Sequence, residues 1–131
     1  MRRVLRGAVA LAVLASPVAL ATCSGPTAGD LTVSLVTPNS DDGAIVVRVT
    51  ASQSKEITSA AVACTGCRIF AEQPSATELR AVVTGNLAAG PLVRISVSDT
   101  GAPTAYAVQI VQVASRTYQL RPTSGYSLSI Q

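Results

Sequence analysis

From Leu31 to Ile130 apolar and polar positions alternate with a period of two, the spacing of strands that bury one face. LTVSLV sets Leu31, Val33 and Leu35 against Thr32 and Ser34, and PNSDDG then breaks the chain as a turn. AIVVRVT sets Ile45, Val47 and Val49 against Arg48 and Thr50. Past the polar break ASQSKE, ITSAAVAC and CRIFAE are the third and fourth candidate strands. TELRAVV aligns Leu79, Ala81 and Val83 against Glu78, Arg80 and Val82; TGNLAAG reads as a loop. PLVRISVS turns Val93, Ile95 and Val97 inward, with Arg94 and Ser96 outward. After the turn DTGAPT, AYAVQIVQV is long and less cleanly two-sided, which predicts a central place in a sheet. RTYQLR, a PTSG turn and YSLSI close the chain, with Tyr126, Leu128 and Ile130 on one face.

The pattern predicts eight or nine short strands and no helix after the N-terminal segment. A sheet with one apolar face needs a second layer to bury it, so the expected fold is all-β, an antiparallel two-sheet sandwich, with a closed barrel as the alternative. Pro38, Pro74, Pro91, Pro103 and Pro122 fall at expected strand edges or turns, where a missing N–H costs least.

The first thirty residues have another character. MRRVLR holds three arginines and no acid, and GAVALAVLASPVALA is uncharged and ends in small residues. That is the layout of a secretory signal, expected to form a short helix over residues 1–22. Pro17 interrupts the apolar run, which falls short of the ~20 residues a membrane span needs. Cleavage after Ala21 suits the small-x-small rule of ordinary signal peptidase and gives a secreted protein. Leu20-Ala21-Thr22-Cys23 instead resembles the lipobox of bacterial lipoproteins, with Thr22 where those families usually carry Gly, Ala or Ser. The resemblance implies that the Cys23 sulfur receives lipid, that the mature chain begins there, and that the protein sits on a membrane of the bacterial cell envelope. Ser24 after the cysteine resembles lipoproteins sent on to the outer membrane where the host has one. Residues 23–30 would then form a short linker of at most about 25 Å, ahead of a sandwich domain at 31–131.

Removal of the first 22 of 131 residues leaves 109, enough for one domain with a single core, with seven basic and seven acidic side chains. The whole-chain charge of +3 therefore belongs to the leader, and the broad electrostatic case for nucleic acid disappears with it.

Three cysteines are an awkward number for an exported protein; lipid on Cys23 leaves Cys64 and Cys67 as a pair. Cys64-Thr65-Gly66-Cys67 admits three uses. A redox site wants a helix whose N-terminus lowers one thiol's pKa, and strand-like flanks provide none. A zinc site wants four ligands, and the chain has no histidine and no second cysteine pair. A disulfide across a tight Thr65-Gly66 turn fits best, although a small envelope thiol oxidoreductase or metal-handling protein stays open as the alternative function.

Other chemistry is thinly supplied. Asp41 and Asp42 could offer oxygens to calcium, but a solvated turn is the expected role. Hydrolysis finds no histidine base, and Asp30, Asp41, Asp42, Glu56, Glu72, Glu78 and Asp99 are scattered. Tyr106, Tyr118 and Tyr126 are expected in core or rim packing rather than as a sugar platform. The expectation is a non-enzymatic binding or structural module without a cofactor, its partner an envelope protein or polysaccharide.

The strand layout over roughly residues 31–130, with NLAAGPLVRISV and the closing GYSLSI, resembles bacterial immunoglobulin-like sandwiches and most closely the cohesin-like ones. In cohesins a sheet face binds the partner; for this chain the resemblance implies fold, and function by analogy alone.

Overall fold

The computed structural model describes residues 25–131, so the expected signal segment and Cys23 lie outside the described residues. Nine strands follow in order: β1 Gly29–Val36, β2 Asp42–Ala51, β3 Ile57–Val62, β4 Arg68–Ser75, β5 Glu78–Leu87, β6 Gly90–Val97, β7 Tyr106–Ser115, β8 Leu120–Arg121 and β9 Ser127–Ile130. A single 3-10 turn, Pro103–Ala105, leads into β7. The strands form two antiparallel sheets, ordered β3-β6-β1-β9 and β4-β5-β2-β7-β8. The fold is an all-β sandwich, compatible with an immunoglobulin-like arrangement.

Alternation builds the core. Leu31, Val33, Leu35, Ile45, Val47, Val49, Leu79, Ala81, Val83, Val93, Ile95 and Val97 are all buried, in the phase the sequence dictates. Branched aliphatics dominate because they are stiff and fit a pleated surface, each fully buried one contributing about 1.5–3 kcal/mol.

Three local expectations change. β5 continues through Thr84–Leu87 instead of ending in a loop, and Leu87 is buried opposite Asp42. Gly85 allows this by taking φ +143°, where an added Cβ would lie 3.1 Å from the Cys67 Cα. Leu92 is buried beside Val93 because the β1–β6 register slips between Val33 and Ser34. β7, expected to be central, lies beside β2 on one side but meets β8 on the other only through Val113 and Ala114. β8 stops at Arg121 because Pro122 has no N–H to offer β7.

The sandwich has two distinct ends. One carries the start of β1, the 52–56 connection and the 98–105 segment. There the Thr27 carbonyl accepts from the Thr100 N–H at 2.7 Å and Lys55 pairs with Asp99 at 2.9 Å. The other end carries Asp42, the 63–67 connection and the segments around β8.

Candidate binding surface

The outer face of the five-stranded sheet is built in rows by strand register. Phe70 lies opposite Val82, Val82 opposite Val46, and Val46 opposite Gln112. Toward the Asp42 end, the next row runs Arg68, Thr84, Ala44, Ala114, Leu120. On the other side it runs Glu72, Arg80, Arg48, Gln109. Phe70 and Leu120 are 63% and 71% exposed, and Val111, bulged out between Val46 and Val47 of the partner strand, is 51% exposed. Five large apolar side chains are exposed among the described residues, and these three belong to this sheet. The outer face thus carries an apolar band edged on one side by a charged row.

The charged row is tied by one carboxylate. Glu78 accepts from the Nε atoms of Arg80 and Arg48 at 2.8 and 3.0 Å. These bonds, Arg80 first, hold the Glu78 carboxyl below its ordinary value. A groove of about 540 Å³ opens beside this row, lined by Val46, Arg48, Arg80, Gln109 and Val111.

Cys64 and Cys67 stand at disulfide distance, with sulfurs 2.06 Å and Cα atoms 5.6 Å apart. Gly66 supplies the positive φ of the turn between them, and Cys67 runs directly into β4. The pair lies at the same end as Asp42, with the Cys64 sulfur against the Leu92 carbonyl.

Asp41 is exposed in the β1–β2 connection as expected of a solvated turn, but Asp42 is not. Asp42 is 1% exposed, the only buried acid among the described residues. Its Oδ1 accepts from the Tyr126 hydroxyl at 2.8 Å and, more distantly, from Arg121; its Oδ2 accepts from the Thr37 hydroxyl. Asn39 donates to the Tyr126 oxygen at 2.6 Å, while Arg121 reaches Asp41 at 2.6 Å. Asp41 first, then Tyr126, raises the Arg121 pKa above its ordinary value. The cluster pins the β1–β2 connection to β8 and to the approach to β9. Its polar groups satisfy one another, which is a structural use. Sequence spacing gives no sign of it, since Asp42 and Tyr126 are 84 positions apart. Among the described residues no group of three or more Cys, Asp or Glu gathers as a metal site.

The three tyrosines do not form a platform. Tyr106 is buried with its hydroxyl accepting from the Asp99 N–H, Tyr126 belongs to the Asp42 cluster, and Tyr118 projects into solvent. The other acids stay dispersed: Asp30 accepts from Ser96 and Asp99 pairs with Lys55, while Glu56 and Glu72 are exposed.

No protein-family model, curated protein or solved structure matches the chain.

Proposed function

We propose that this is an exported, non-enzymatic binding or structural module of the bacterial cell envelope, held on a membrane by lipid on Cys23. The observation that carries the binding role is the apolar band of exposed Phe70, Val111 and Leu120 with half-buried Val82 and Val46, beside the Arg48–Glu78–Arg80 row. Monomeric surfaces rarely keep such a band without a use for it. The cohesin-like resemblance adds a sheet face as contact surface by analogy alone.

The anchor rests on the lipobox resemblance and the odd cysteine count. With Thr27 bonded to Thr100, only Ser24, Gly25 and Pro26 separate Cys23 from the folded body, a reach of about 10 Å. The 52–56 and 98–105 segments would then face the membrane, and the Asp42 end would point away. The thiol-oxidoreductase alternative would want a helix N-terminus beside Cys64 or Cys67, whereas Cys67 leads into β4.

Two measurements test the proposal separately. Intact mass of the exported protein is expected to give a chain starting at Cys23 with acyl mass added; an unmodified chain starting at Thr22 would mean a secreted module instead. Replacing Phe70, Val111 and Leu120 together by Ser is expected to abolish crosslinks to envelope components while leaving the unfolding midpoint within a few degrees. Unchanged crosslinking would remove the face from the account.

A further inference from the structure

The open edge of β7 lies beside this face and says what kind of partner fits it. We infer that Tyr106–Gln112 accepts an extended segment of a partner protein as an added antiparallel strand, in line with β8. The segment would alternate β-branched apolar with acidic residues. This deepens the proposed binding role and rests on it only for the existence of a partner.

Three observations converge. First, β7 has β2 on one side along its whole length, whereas on the other side β8 covers only Val113 and Ala114. Among the described residues, Val108 and Ile110 thus turn N–H and C=O to an edge without a strand, while the Tyr106 N–H is taken by the Pro103 carbonyl. Second, that edge is guarded only by the bulge at Val111. YAVQIVQ has no charge and no proline, whereas native edges are commonly guarded by several of charges, prolines, bulges and brevity. The opposite edge of the same sheet is guarded in this way. β4 carries Arg68, Glu72 and Pro74, with a register shift between Glu72 and Ser75. β9 is short, and at β3 the Ile57 N–H donates to Ala76 while its carbonyl accepts from Gln73.

Third, both flanks of the open edge have a character that an added strand would meet. Behind it, a groove of about 400 Å³ runs between β7 and β9, lined by Tyr106, Val108, Leu128 and Ile130. These apolar side chains are only partly covered, apart from buried Tyr106, because the sandwich does not close at this seam. Side chains at alternate positions of an added strand would point into it. In front, a residue opposite Gln109 would extend the row Arg80–Arg48–Gln109 by one place. Near β7, two guanidiniums share the Glu78 carboxylate, while Glu72 sits across the sheet on β4. A carboxylate at the new position would stand two strands from Arg48, about 10 Å of backbone separation, which the two side chains can span. Apolar behind and acidic in front is the complement of the two flanks.

The test uses the purified exported protein and two synthetic heptapeptides, Thr-Val-Glu-Val-Glu-Val-Thr and its Lys-for-Glu counterpart, both blocked at the ends. The Glu peptide is expected to slow amide exchange at Val108 and Ile110 and to bind at least about tenfold more tightly than the Lys peptide, a difference of ~1.4 kcal/mol. Gln109→Glu, an exposed change on the outer face, is expected to erase that preference while leaving the unfolding midpoint unchanged. Binding of neither peptide at millimolar concentration, equal binding of both, or protection at β3 or β4 instead would overturn the inference. Protection of 106–112 by self-association of the chain would also overturn it, since the occupant would then be a second copy. Lipid on Cys23 has no bearing on any of these readings. Loss of envelope crosslinks in the Phe70, Val111 and Leu120 variant with peptide binding intact would separate the face from the edge.

Discussion

Asp42 shows how much one side chain can hold. Its carboxylate is buried and accepts from Thr37, Tyr126 and Arg121, joining segments that alternation alone leaves loose. Removing it strands those donors and deprives Arg121 of its inner partner, so Asp42→Ala is expected to cost about 3 kcal/mol in urea unfolding. Tyr126→Phe removes one hydroxyl from the same cluster and is expected to cost about 1 kcal/mol. Equal losses for the two would mean that the cluster is organised around the tyrosine. Two carboxyls elsewhere contribute acid sensitivity. Arg80 and Arg48 hold Glu78, and chiefly Lys55 holds Asp99, below their ordinary values of 4.5 and 3.8. A carboxyl depressed on folding adds stability that is fully present above its unfolded value and fades as pH falls through the folded one. The unfolding midpoint should therefore drop between pH 5 and about pH 3, and less steeply in the Glu78→Gln, Asp99→Asn variant. Both carboxyls sit half-buried at the surface, so the effect should be small and shrink in high salt.

At the scale of elements, the strands that bury one face could be read from their spacing, because a period of two assigns each side chain to a face. Val33, Ile45, Val83 and Ile95 needed nothing more. What failed to show depends on partners rather than on pattern. Leu87 looked like part of a loop because Gly85 precedes it, yet the strand passes through the glycine and Leu87 docks opposite Asp42. Gly85→Ala is accordingly expected to cost more than about 1 kcal/mol, from the positive φ and the nearby Cys67 backbone; a neutral result would mean that β5 ends earlier. β7 looked central because AYAVQIVQV is long and less cleanly two-sided. Its exposed edge follows from Pro122, a residue whose effect on β7 cannot be seen until β8 is paired with it. The turn at Cys64–Cys67 was legible from the four residues themselves. So short a closed loop restricts the unfolded chain little, so the Cys64→Ser, Cys67→Ser double variant is expected to lose no more than about 2 kcal/mol and keep the fold. Unfolding on reduction would give the bridge a larger part than its loop allows.

At the scale of the molecule, the sandwich offers an apolar band on one sheet and a largely open edge next to it, joined through Val111 and the Arg48–Arg80 row. Under the proposed anchoring the short spacer keeps the 98–105 segment at the lipid, and the β7 edge runs up the side of the domain, where a strand from a neighbouring envelope protein could lie along it. The most direct test of this architecture is residue-resolved amide hydrogen exchange on the free protein. Slow exchange through β1, β2, β5 and β6, with the amides of Val108 and Ile110 exchanging fast, is the expected result. Uniform protection along β7, or a helical protection pattern in the body of the chain, would contradict it.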